Sequence, residues 1–258
     1  NTRGGVFAGP GVTDVDPVTG EETFYPTILT ADLTPGATDN SACPIVRIID
    51  NAPDQDALGD LAAANCFAFN LLFPGGFTPR FGGDVNDFAT TAGLRGVRDD
   101  GLNYDFSFSY GRSHVDFNIR NTINASLGPQ SPTSFDPGAY EQVDKNFNAD
   151  FSFPVETELF YSDLNIAFGT EYRSETFTVT AGDQASFEIG PLAAQGFSSA
   201  SNGFPGFSNL AAGSFERSNV AAYVDFEADV TERLLVGLAS ISASGLFCLW
   251  SLLQQCCC

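Results

Sequence analysis

Leu102-Asn-Tyr-Asp-Phe-Ser-Phe-Ser-Tyr110 alternates apolar and polar residues without a break. Successive side chains of an extended chain point to opposite faces. The stretch is therefore a strand with one aromatic face (Leu102, Tyr104, Phe106, Phe108, Tyr110) and one polar face (Asn103, Asp105, Ser107, Ser109). The same period of two recurs in Val143-Asp-Lys-Asn-Phe-Asn-Ala-Asp-Phe-Ser-Phe153, in Leu164 to Arg173 and in Arg217 to Val230. Lys145 interrupts the apolar side of the second, near a strand end where its head can reach water.

Six strands follow, over about 84–97, 102–121, 142–153, 162–180, 215–230 and 234–239. The apolar phase slips at Gly111-Arg112-Ser113, since Val115, Phe117 and Ile119 carry it onward. A β-bulge shifts phase in this way, and a tight hairpin at Gly111-Arg112 is the competing reading. The connections favour one strand with a bulge. Those around residues 98–101, 154–161 and 231–233 are then short, and those over 124–141 and 181–214 are long. Short turns at one rim and long loops at the other are the layout of an outer-membrane barrel. The expected fold class is all-β: an antiparallel up-and-down transmembrane β-barrel fragment of about six long strands with long extracellular loops. Such barrels have at least about 8 strands, and an open edge leaves backbone groups unsatisfied in lipid. The chain is therefore expected to be part of a larger barrel.

Composition narrows the function classes. The chain has 32 Asp+Glu against 11 Lys+Arg, a formal charge of −21. Binding to nucleic-acid phosphates needs a basic surface, which this balance disfavours, and the same holds for a basic patch on anionic lipid. The chain carries 25 Phe and no Met, opens at Asn1, and shows no charged-then-apolar leader. No apolar run is long enough for a membrane helix.

Residues 1–83 read as mostly an extracellular loop region. Cys43 and Cys66 bracket a polar segment, which suits a disulfide in an oxidising compartment. On the chain-entropy model it stabilises by roughly 3 kcal/mol. A short helix is expected over residues 53–65, with Asp54 as N-cap and Ala57, Leu58 and Leu61 on one face. Residues 84–239 form the barrel wall. From Ser240 the pattern breaks into an apolar tail with the single Trp and four of the six Cys. Residues 240–258 are expected to be aberrant, from a reading-frame error or truncation; the alternative is a genuine apolar terminal strand.

Catalytic constellations are weak. His114 is the sole histidine, and no nucleophile elbow, zinc motif or phosphate-binding loop accompanies it. No enzymatic activity, cofactor or metal is expected. Asp14-Val-Asp-Pro-Val-Thr-Gly-Glu-Glu22 faintly resembles a calcium loop, but Pro17 stiffens it and an EF-hand donor is missing. A solvated acidic loop is the plainer reading. Asp105, Asp144, Asp150, Glu171, Asp225, Glu227 and Asp229 fall on polar strand faces, where they wet a lumen more simply than they form a glycosidase pair. Arg120, Arg173 and Arg217 fall near the outer rim as candidates to touch an anionic ligand. Ion-pair ladders with Glu171, Glu175 and Glu216 are the simpler role.

Several segments resemble TonB-dependent outer-membrane receptors. They are Asn121-Thr-Ile-Asn-Ala-Ser-Leu-Gly-Pro-Gln-Ser-Pro-Thr-Ser-Phe-Asp-Pro-Gly138, Ala167-Phe-Gly-Thr-Glu-Tyr-Arg-Ser-Glu175, Ala181-Gly-Asp-Gln-Ala-Ser-Phe187, Ser201-Asn-Gly-Phe-Pro-Gly-Phe207 and Arg217-Ser-Asn-Val-Ala-Ala-Tyr-Val-Asp-Phe-Glu227. Phe73-Pro-Gly-Gly-Phe-Thr-Pro79 precedes them. Their succession, over about residues 65–239, carries the resemblance. It implies a plugged barrel of about 22 strands in the bacterial outer membrane, importing a siderophore, cobalamin or glycan. Its partners would be outer-membrane lipid, the ligand, and an inner-membrane energy complex reached through an N-terminal plug and box that this sequence lacks. A passive porin-like barrel and a soluble secreted β-sandwich binding module remain as alternatives.

Overall fold

The computed structural model describes residues 8–250, with side chains described through residue 244. The chain divides into two compact units. One holds the chain up to Gly83 together with Phe117–Gly138 and Ala181–Ala211; the other holds Asp84–Asp116, Ala139–Thr180 and the chain from Ala212.

The first unit begins with the antiparallel strands β1 (Val12–Val15) and β2 (Glu22–Tyr25), paired from Val12↔Tyr25 to Val15↔Glu22. Strand β3 (Ala31–Asp32) comes next, then the hairpin of β4 (Ile48–Ile49) and β5 (Ala52–Pro53). Asp50 and Asn51 turn that hairpin with φ of 48° and 62°. Two left-handed residues in a two-residue loop match the strand twist, and Asp and Asn tolerate the conformation best after Gly.

Helix α1 (Gln55–Asp60) is shorter than the sequence suggests, but Asp54 caps it through the N–H groups of Asp56 and Ala57. Leu58 and Leu61 are buried. Strand β6 (Cys66–Phe67) pairs with β3, and Cys66 is bonded to Cys43, with Cα atoms 5.8 Å apart.

Two apolar clusters hold this unit. One packs Ile28, Val46, Leu58 and Leu61 around the disulfide. The other joins Phe67, Phe69 and Phe77 to Ile123, Leu192 and Phe197. The two long connections expected as separate surface loops thus share a core with the N-terminal region. Their central polar residue is Asn124, fully buried. Its Nδ2 donates to the carbonyls of Ala185 and Glu188, both at 2.9 Å. Its Oδ1 accepts from the N–H and the hydroxyl of Ser126, at 3.2 and 2.7 Å. All four hydrogen-bonding positions of the amide are filled.

The remaining strands form one antiparallel sheet, in the order β12-β11-β10-β9-β8-β7. They are β7 (Arg80–Val97), β8 (Asn103–Arg120), β9 (Ser134–Val155), β10 (Leu164–Ala181), β11 (Gly213–Thr231) and β12 (Leu234–Trp250). A short helix, α2 (Gln184–Phe187), lies between β10 and β11 in the chain.

Three differences from the sequence reading have physical causes. Strand β8 runs unbroken through Gly111, which removes the hairpin. It also holds no bulge there. Ser107 meets Asn148 at 3.3 Å and His114 meets Glu141 at 3.3 Å, so equal numbers of residues separate the two contacts on β8 and on β9. The phase slip is a change in the polarity of a face: Arg112, His114 and Asp116 follow Tyr104 to Tyr110 on the same side of the strand. Second, β9 starts before the expected 142, through Pro137 and Gly138. Pro137 has no N–H to satisfy, and its carbonyl accepts from the Phe207 N–H at 2.9 Å. Asp136 exchanges bonds with Asp183, each 2.8 Å.

Third, β12 passes 239 and continues to Trp250. Its register places Leu238 opposite Phe226, but Ser240, Ser242 and Ser244 opposite Val224, Ala222 and Val220, with Ile241 opposite Tyr223. Polarity inverts on β12 at the point where the sequence pattern breaks. The remainder of the tail, residues 251–258, lies outside the described residues.

Asn124 carries the first prediction. Asn124→Asp turns a double donor into an acceptor facing two carbonyls, and should destabilise the first unit by about 2–4 kcal/mol. Denaturant titration monitored by near-UV circular dichroism measures this, and a cost below about 1 kcal/mol would remove Asn124 as the keystone of these loops.

Candidate functional site

The register of β10 on β11 sorts the sheet into two faces. Asn165↔Glu227, Ala167↔Asp225, Gly169↔Tyr223, Glu171↔Ala221, Arg173↔Asn219 and Glu175↔Arg217 lie on one. Ile166↔Phe226, Phe168↔Val224 and Tyr172↔Val220 lie on the other. Directly paired residues share a face.

The polar face is laced by side-chain bonds. Thr91 and Ser109 hydroxyls meet at 2.9 Å, Asn148 donates to Ser107, and Asn146 donates to Glu171 at 3.2 Å. The Tyr223 hydroxyl donates to Asp150 Oδ1 at 2.9 Å, reaching from β11 across β10 to β9. Gly169 makes that reach possible: a Cβ there would stand 2.6 Å from the Tyr223 ring and 2.3 Å from Asp150 Oδ1. Glycine inside a strand marks such a close approach. The sequence carried this signal in Gly169, but alternation alone did not identify Tyr223 as its partner. Asn103, Asp105 and Asn165 flank Asp150 and Tyr223 around an open depression that also includes Arg95.

Towards the far end of β10, Glu175 is the acceptor for two arginines. Arg173 bonds it at 2.9 Å and Arg217 through its Nε. The Glu175 side chain is only 9% exposed. Of the other carboxylates paired with these arginines in the sequence reading, Glu171 takes Asn146, and Glu216 accepts from Ser174 at 3.2 Å. Arg173 and Arg217 are therefore engaged by a carboxylate. Arg120 belongs to the first unit, where it borders a depression with Arg80, Asn118 and Asn121.

The opposite face carries an aromatic row. Phe106 meets Phe151 edge-on at 5.4 Å, and Phe151 stacks on Phe168 at 5.1 Å. Phe108, Phe147, Phe168 and Phe226 are all more than a third exposed. Past Tyr172 this face turns polar, with Ser174↔Ser218 and Thr176↔Glu216. On β8 the same change brings His114 between Asp116 (3.1 Å) and Glu141, which Arg112 also binds at 2.9 Å.

The acidic hairpin between β1 and β2 uses its carboxylates internally. Asp16 accepts from the Val18 and Thr19 N–H groups, which hold its carboxyl below the usual range. Asp14 pairs with Arg47 at 2.9 Å. In the turn between β7 and β8, the Arg98 side chain holds the Asp100 carboxyl at about 2. No group of three metal-ligating side chains occurs among the described residues.

Two outcomes follow for this face. Gly169→Val should displace Tyr223 from Asp150 and cost about 1–3 kcal/mol, with Tyr223→Phe in the Val background adding little further loss, since the bond would already be broken. Glu175→Gln should cost roughly 1 kcal/mol, and a double-mutant cycle with Arg217→Gln should return a coupling of about 0.5–1 kcal/mol that shrinks in high salt. Equilibrium unfolding of the variants measures both. Set beside known proteins, the chain matches no family model and no curated protein.

Proposed function

We propose that this chain is part of the barrel wall of a TonB-dependent outer-membrane transporter, serving energy-coupled uptake of a scarce ligand of the siderophore, cobalamin or glycan class. The observation that carries the membrane part is the exposed aromatic face. A soluble β-sandwich would cover that face with a second sheet. Here Phe108 is 44% and Phe147 is 43% exposed, and the described sheets besides the six-stranded one have only two strands each.

The height of the band agrees with a bilayer. On this face of β10, Leu164, Ile166, Phe168 and Tyr172 form the apolar band, with Thr170 spending its hydroxyl on the Ala221 carbonyl, before Ser174 ends it. At about 3.4 Å per residue and a tilt of about 40°, that is roughly 20 Å of height, close to the apolar band of about 25 Å on such barrels. Tyr172 at its end suits the interfacial aromatic girdle. Among the described residues, both outer strands, β7 and β12, have one unpaired edge, and in lipid such edges need partners. In this reading, strands from the rest of the barrel supply them. The transporter part rests on the run of family-like segments from Phe73 to Glu227, and the ligand and the inner-membrane energy complex would be met through parts of the protein beyond these strands.

Cysteine labelling in outer-membrane vesicles tests the reading on the natural full-length protein. Phe168→Cys and Phe226→Cys should resist a water-soluble maleimide and react with a lipid-soluble one. Glu171→Cys and Asp225→Cys should react with the water-soluble reagent once the barrel is open to it in mild denaturant. Equal aqueous reactivity on both faces, or a protein that stays soluble without detergent, would sink the membrane reading. A coding sequence with no plug-sized domain ahead of these strands would instead leave a passive barrel.

A further inference from the structure

Gly82 and Asn118 face each other across β7 and β8, since a Cβ on Gly82 would stand 3.3 Å from Asn118 Oδ1. In an antiparallel pair, a step of two residues along both strands keeps the same face and the same pairing. That step leads to Arg80 and Arg120. Both border one depression, together with Phe81, Gly82, Asn118 and Asn121. Asn121 is fixed there by a bond from its Nδ2 to the Thr78 carbonyl at 2.9 Å.

Like charges placed directly opposite on adjacent strands destabilise the pair. With 32 carboxylates in the chain, a counter-charge is easily supplied: Arg47 takes Asp14, Arg98 takes Asp100, Arg112 takes Glu141, and Arg173 and Arg217 take Glu175, whereas Arg95 and Arg233 stand singly without an ion pair among the described residues. Arg80 and Arg120 have no ion pair among the described residues. Gly82, next to Arg80 on that face and opposite Asn118, adds no side chain to the depression.

We propose that Arg80 and Arg120 form an oxyanion site for a phosphomonoester. Two planar guanidinium forks match the oxygens of a tetrahedral dianion. A dianion cancels both charges, whereas a single carboxylate leaves one unopposed. The Asn118 amide adds a neutral donor at the rim. The phosphomonoester comes either from a soluble ligand or from a lipid headgroup. The inference goes beyond the transporter reading and does not depend on it.

Calorimetric titration of the full chain tests it in two arms, one with glycerol phosphate and one with vesicles containing phosphatidic acid. Saturable binding is expected in at least one arm, and the arm that binds names the source. Arg80→Gln and Arg120→Gln should each weaken it at least tenfold, while Arg233→Gln leaves it unchanged. If a Gln variant folds poorly, Arg80→Lys and Arg120→Lys take its place; they keep the charge, lose the planar fork, and should still bind several-fold more weakly. No saturable binding in either arm, or binding equally sensitive to Arg233, overturns the site.

Discussion

The pairing register of β10 on β11 is the constraint on which the sheet's two faces depend. It sets Glu175 opposite Arg217 and Phe168 opposite Val224. Because side chains alternate with a period of two, a slip of one residue would move the aromatic set onto the polar side and take Glu175 from Arg217 to the side of Ser218 and Glu216. Side chains then lock the register at two heights. Glu175 gathers Arg173 and Arg217, and Tyr223 crosses over Gly169 to reach Asp150. Neither contact forms in a slipped pairing. The polar face thus stabilises the alignment as well as facing water.

Those locks show how much of the sheet was legible. Alternation located the strands that begin near residues 102, 143, 164 and 217, because a strand's faces are written directly in the order of its residues. Alternation is silent on why a pattern slips. At Gly111 a bulge and a change of environment leave the same trace in sequence, and only the paired contacts of Ser107 and His114 separate them. Pro137 and Gly138 fell within the long connection expected over 124–141, yet β9 holds both, since the Pro137 carbonyl finds Phe207 and Asp136 finds Asp183. The rim arginines show the same limit. The face of Arg173 and Arg217 could be read, but not their convergence on one carboxylate; Arg120, expected on that same polar face beyond a bulge, instead follows Asp116 on the side of Tyr104 to Tyr110, beside Arg80.

The first unit was the least legible part for a related reason. Its core is non-local: Phe69 and Phe77 pack with Ile123, Leu192 and Phe197, drawn from segments far apart in the chain. No periodic pattern announces such a cluster. The local features were clear, including the Asp54 cap and the cysteine pair. What assembles the long connections is a polar hub, Asn124, whose side chain replaces backbone partners that irregular segments cannot give each other. Long connections carrying buried backbone groups need such substitutes, and Gln195 acts in the same way, donating to the Asp32 carbonyl and accepting from its N–H, both at 2.8 Å.

Charge sorts on the same logic as polarity. A formal charge of −21 describes the field far from the chain, and that field argues against nucleic acid. Over a few ångströms the balance is set by neighbours instead, because screening in water confines each charge to about 10 Å or less. Glu175 stands between two arginines, and Glu141 is shared by Arg112 and His114. Local positive excess in so acidic a chain is therefore a matter of placement, and Arg80 beside Arg120 is where the strand pairing produces it.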